Sequence, residues 1–104
     1  MIFTTTETIP NKNIPEILGV VRGNTVRARA IGKDILAGFK SIAGGEIHEY
    51  SNLMAESREE AFKRMAEKAE ELGADAVVNI RFATSMISQG SAEILVAGTA
   101  VKTN

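Results

Sequence analysis

Apolar residues recur at three- and four-residue intervals from Glu46 to Leu72: Ile47, Tyr50, Leu53 or Met54, Ala61, Phe62, Met65, Ala69 and Leu72. That spacing lays one apolar stripe along an amphipathic helix. The interior is rich in Ala, Glu, Lys, Arg and Met, all strong helix formers. Glu59 with Lys63 and Glu60 with Arg64 are supportive i,i+4 pairs, while Glu67 with Glu71 is repulsive. Gly73 is placed to end the helix at its C′ position. Ser57, followed three residues later by Glu60, also fits a capping box. One long helix is therefore expected, with two helices meeting near Ala55–Ser57 as the alternative.

Beyond Gly73 the period changes to two. Residues 76–87 alternate Val78, Ile80 and Phe82 on one face with Asn79, Arg81 and Ala83 on the other, as in a half-buried strand. Ser88-Gln89-Gly90-Ser91 supplies turn chemistry. Residues 92–102 then form a second strand, with Ile94, Val96, Gly98 and Ala100 opposite Glu93, Leu95, Ala97, Thr99 and Val101. That strand is apolar on both faces, which suits one covered by a helix on one side and by another subunit on the other. Upstream, residues 16–30 predict a long strand broken or bulged at Gly23-Asn24, and residues 2–5 a short edge strand. Residues 9–13 read as a loop. Asp34, Ile35, Phe39 and Ile42 predict a short helix over 34–42, ended by Gly44-Gly45. The order strand, strand, short helix, long helix, strand, strand describes an α+β fold, mainly antiparallel sheet packed on one long and one short helix.

The chain has 104 residues, 44% of them hydrophobic, enough for a single domain over 1–104 that buries roughly two-thirds of its unfolded surface. Twelve basic against thirteen acidic residues leave a net charge of −1, so no broad cationic field draws the protein onto nucleic acid. Charge is segregated all the same: residues 1–45 sum to +3, residues 46–75 to −5 and residues 76–104 to +1. No apolar run approaches the ~20 residues needed to cross a bilayer, and no membrane partner is expected. The opening MIFTTTETIPNKN has neither a cationic nor an apolar leader pattern, so a cytoplasmic location is expected.

Zero cysteines remove disulfides, thiolate nucleophiles and every cysteine-based metal site. The single histidine, His48, lies beside Glu46 and Glu49, and imidazole with carboxylates is a ligand set for borderline divalent metals such as zinc, nickel or copper. Helical spacing lets at most two of these three reach one ion, so a complete site has to be shared between subunits. An exposed histidine on an acidic helix face is the plainer alternative. Gly44-Gly45 before the helix resembles an anion-binding N-terminus, but Glu46 already compensates the dipole and would repel a phosphate. Arg27 and Arg29 share a strand face, and Arg81 lies on another strand, so they form a small-anion patch if those strands are neighbours. The alternative is a solvated strand face. Arg58 is placed to pair with glutamates across the helix or on a neighbouring subunit. The serines have one histidine to activate them and no nucleophile motif, and Met54, Met65 and Met86 read as core filler.

Gly44-Gly45-Glu46, Tyr50, Leu53, Arg58, Ala61, Arg64-Met65-Ala66 and Leu72-Gly73-Ala74-Asp75-Ala76-Val77-Val78 through Arg81-Phe82 resemble the YbjQ-like family of small bacterial and archaeal proteins. Thr4-Thr5-Thr6 and Gly19-Val20-Val21-Arg22-Gly23 are similar to the family's opening. The family is described as "putative heavy-metal-binding", with no reaction assigned. The resemblance implies a small α+β subunit that joins others as a ring-shaped homopentamer, with short extra strands promoting assembly. It also marks Glu46 and Tyr50 as family-like positions that carry function, with His48 and Glu49 in the same stretch.

Two functions follow. In the first, a non-enzymatic homo-oligomer holds a divalent metal ion or a small anion at shared interfaces, where a cyclic assembly multiplies one histidine into a ring. Its metal candidates are Glu46, His48 and Glu49; its other ligand-binding candidates are Tyr50, Arg58, Arg27, Arg29 and Arg81. In the second, an enzyme with an inter-subunit active site uses Glu46 as base and Tyr50 or Arg58 as polar partner. A carboxylate in the first turn of a helix has its pKa lowered, which opposes a general-base role and ranks the enzyme second.

Overall fold

A computed structural model describes residues 1–28, 45–88 and 90–104, with side chains described for all of these except 28 and 45–50. The apolar stripe does form one continuous helix, α1, over Gly45–Glu71. Ala61, Met65 and Ala69, spaced four apart on one face, are completely buried. Ser57 is no cap of a second helix. It lies mid-helix and fully buried, its hydroxyl donating back to the Leu53 carbonyl at 2.9 Å. The helix ends in a Schellman motif: Gly73 takes φ 74°, its N–H donates to the Glu70 carbonyl, and the Ala74 N–H to that of Ala69.

Four strands make one sheet: β1 (Ile2–Phe3), β2 (Glu16–Ala28), β3 (Ala76–Ser88) and β4 (Ser91–Lys102), in the order β1-β3-β4-β2. β4 pairs antiparallel with β2 and with β3, and β1 parallel with β3. The fold is thus α+β with a mixed, mainly antiparallel sheet that is not closed into a barrel. β3 and β4 pair up to Ser88 opposite Ser91, with Gly90 at φ 83°, while Gln89 of the expected turn lies outside the described residues. The short helix expected over 34–42 lies outside the described residues, as do positions 29 and 30 of the first long strand. Among the described residues no helix is long and apolar enough to cross a membrane.

The helix packs across β2 and β4. Gly23, expected to mark a bend, pairs regularly with Val96. Its role is close approach: a Cβ there would lie 2.0 Å from the Ala61 carbonyl oxygen and 2.5 Å from the Met65 nitrogen. The irregularity of β2 falls instead between Ile17 and Gly19. On β4 the helix-side residues Ile94, Val96, Gly98 and Ala100 are all buried, as expected, whereas Leu95, Ala97 and Thr99 on the other face are half-buried.

β3 departs from simple alternation. Asn79 adopts φ 55°, and the pairing with β4 shifts between Val78 and Arg81. This extra residue puts Val77 and Ile80 together in the core under the helix, while Val78 joins Ala76, Val101 and Ile9 in a second cluster. The expected common face of Val78, Ile80 and Phe82 is therefore not formed. The N-terminal segment follows the bulge, with Ile80 N–H donating to the Thr4 carbonyl and Asn79 N–H to that of Thr6. Phe3 stacks edge-on against Phe62 of the helix, ring centres 4.9 Å apart.

Candidate functional site

Glu46, His48, Glu49 and Tyr50 occupy the first two turns of α1; their side chains lie outside the described residues. Arg29 lies outside them altogether. The remaining candidates are spread over the molecule. Arg27 is half-buried on the helix side of β2, its Nε donating to Ser57 Oγ at 2.9 Å. The Ser57 carbonyl also accepts from Thr25 Oγ1 at 3.2 Å, so one helical residue ties down two positions of the strand. Arg81 is exposed near the sheet edge, where Nη1 donates to the carbonyls of Thr5 and Ile80, each at 2.8 Å. β4 lies between β2 and β3. Arg27 faces the helix, whereas Arg81 pairs with Ala97 of the opposite face. Because their strands are not neighbours, Arg27 and Arg81 do not form one anion patch. Both guanidinium groups instead brace local structure through charge-assisted hydrogen bonds.

Arg58 is exposed on α1, lining a shallow recess of about 530 Å³ with Ala55, Glu56, Glu59, Glu60 and Lys63. This is a solvated charged surface, and among the described residues Arg58 forms no ion pair with the glutamates beside it. On the same side of the sheet, Phe3, Thr4, Thr5, Phe62, Ile80 and Phe82 line an apolar recess of about 450 Å³. Phe82 and Met86 of β3 are 49% and 73% exposed, because the helix packs mainly on β2 and β4 and covers β3 only as far as Val77 and Ile80.

Sequence reasoning missed the Thr25–Arg27–Ser57 network, although a serine amid helix formers and two alternating polar strand positions were its signal. It also missed a polar recess at the far edge of β2, where Arg22 and Asn24 meet Glu93 and Leu95 of β4 and Lys68 of the helix. These residues lie up to 73 positions apart in the chain, and only strand register and helix placement bring them together.

All 104 positions, residues 1–104, match the YbjQ family, described as "Putative heavy-metal-binding". The chain belongs to this family. A UPF0145 protein of Archaeoglobus fulgidus is 59% identical over 98% of this chain and 94% of its own length. Another from Colwellia psychrerythraea is 59% identical over 98% and 97%. The crystal structure of a protein of unknown function in the DUF74 family, from Pediococcus pentosaceus, superposes with a TM-score of 0.72 at 18% identity, covering 100% of this chain and 98% of that one. That likeness shows the fold.

The metal description can be set against the donor chemistry of this YbjQ-family chain. Soft heavy metals favour thiolates, and the sequence has no cysteine. Met65 is sealed in the core and Met54 packs against it, whereas Met86, expected as core filler, is 73% exposed and is a single thioether on the surface of β3. Among the described residues no three His, Asp or Glu side chains converge on one point. The described part of a single subunit therefore does not fit a soft metal ion, and the borderline donors of the sequence are His48 and its flanking carboxylates.

Proposed function

We propose that this chain is the subunit of a non-enzymatic, ligand-binding homo-oligomer, a ring of five in the cytoplasm, which holds a divalent metal ion or a small anion where subunits meet. One observation carries the proposal: β4 is apolar on both faces, yet among the described elements only the helix packs across the sheet, and it covers one face. On that other face Leu95 and Ala97 of β4 pair with Asn24 and Arg22 of β2, and Val20 and Val26, one step further along β2 on either side, are 72% and 51% exposed. Apolar surface set in a sheet face is a common feature of subunit interfaces. The family description supports a bound ion. Within a ring, His48 of each subunit is repeated by symmetry, which turns a lone imidazole into several donors of the type that borderline divalent ions prefer.

Calorimetric titration of the native assembly with Zn²⁺, Ni²⁺ and Cu²⁺ tests the binding half. Saturable binding that His48→Ala abolishes supports a shared metal site. Equal binding by both proteins removes His48 from it, and saturation by inorganic phosphate alone assigns the site to an anion.

A further inference from the structure

The recess at the open edge of β2 has a volume of about 410 Å³. Arg22 reaches it from β2 and Lys68 from the helix, while Glu93 of β4 supplies a carboxylate and Leu95 an apolar wall. The carboxylate is fixed, because Asn24 Nδ2 donates to Glu93 Oε2 at 3.0 Å. Asn24 is braced in turn: its carbonyl accepts from Arg64 Nη1 at 2.7 Å, and Arg64 is clamped by Glu60 at 3.3 Å. Among the described residues that clamp is the one ion pair within bonding range. Arg22, Lys68 and Glu93 thus share a recess without forming an ion pair with one another or with other described residues.

A metal cation in this recess would meet two positive side chains, and a phosphate would meet the Glu93 carboxylate, which Asn24 holds on the recess side. Only a ligand carrying both signs satisfies all three groups. We propose that the recess binds a small zwitterion, an α-amino acid with an apolar side chain. Its carboxylate lies between Arg22 and Lys68, its ammonium against Glu93, and its side chain against Leu95. The volume is at the small end of the range for small-molecule sites, as an amino acid requires. All the residues belong to one subunit, although Leu95 also lies on the sheet face proposed for subunit contact, so the titration is made on the native assembly.

Amide NMR of the full chain titrated with L-leucine, 4-methylpentanoate and 3-methylbutylamine tests the proposal. Leucine should shift the amides of residues 22–24, 68 and 93–95 saturably, and each analogue, lacking one charge, should bind about tenfold more weakly. Glu93→Gln should remove the preference for leucine over 4-methylpentanoate, whereas Arg22→Ala and Lys68→Ala should each weaken leucine about tenfold. Unchanged amide positions elsewhere verify that each variant is folded, and the three-ligand comparison on the unaltered chain stands without any variant. Equal binding of the three compounds, or no saturable shift below about 10 mM leucine, overturns the proposal.

Discussion

Substituting Gly23 by alanine should be among the most damaging single-methyl additions this fold can receive. The new Cβ would lie 2.0 Å from the Ala61 carbonyl oxygen and 2.5 Å from the Met65 nitrogen, both backbone atoms of α1. No rotamer change relieves contacts between backbone atoms. Restoring even a tight 3.4 Å separation requires the helix to retreat from the sheet by about 1.4 Å at this point. A radial gap of ~0.5–1 Å already forfeits a quarter to a half of the dispersion energy of the atoms on either side. The retreat would loosen Ala61, Met65 and Ala69, all completely buried, from Val21 and Val96. Overpacking of this kind costs roughly 3 kcal/mol, a large share of the ~5–15 kcal/mol expected for a whole domain. In a domain of this size that lowers Tm by about 12–24 °C. Gly98→Ala is the internal control. Its Cβ would meet Val77 Cγ1 at 2.6 Å, a side-chain methyl able to move, and the Val78 carbonyl at 3.1 Å. Urea denaturation of both variants should place Gly23→Ala clearly below Gly98→Ala. A Gly23→Ala loss under about 0.5 kcal/mol would refute the close approach of α1 to β2.

Three further expectations rest on separate features. Ser57→Ala removes the acceptor for Arg27 Nε; with Arg27 half-exposed, a urea double-mutant cycle with Arg27→Ala should give a coupling of about 1 kcal/mol, and additivity within about 0.3 kcal/mol would contradict the network. Asn79 adopts φ 55°, so thermal melts should show Asn79→Gly unchanged or slightly more stable and Asn79→Val about 2 kcal/mol less stable. Equal melting of those two variants would remove the bulge from the account. Arg64→Ala breaks an exposed i,i+4 pair and one strand-edge hydrogen bond, and chemical denaturation should show a cost below about 1 kcal/mol.

Much of this fold is legible in the chain because local period and global burial agree. The stripe through Ala61, Met65 and Ala69 is a helix whose buried face is the one the spacing names, and Gly73 ends it as its position predicts. The alternation of β4 assigns Ile94, Val96, Gly98 and Ala100 to the buried face without error. The failures occur where one residue changes phase or one side chain acts at a distance. Asn79, in the left-handed region, inserts a residue into β3 and moves Val77, not Val78, under the helix. Gly23 carries the same signal for a bend and for a close backbone approach, and only the position of α1 separates the two. Ser57 satisfies a capping box in sequence, yet its hydroxyl is used mid-helix against a strand 30 residues away.

The candidate site was less legible for a different reason. Arg27 and Arg81 are alternating strand arginines whose juxtaposition depends on strand order, and insertion of β4 between β2 and β3 separates them. Arg22, Lys68 and Glu93 carry no motif and meet only through register and helix placement. Glu46, His48, Glu49 and Tyr50 are held on the opening turns of α1, where their function in the proposed assembly depends on what a neighbouring subunit brings.

Assembly is therefore the claim on which the functional account turns, and native mass spectrometry measures it directly. The account predicts one dominant species of five subunits, five times the 11.1 kDa of the chain. A dominant 11.1 kDa monomer under the same conditions would contradict it.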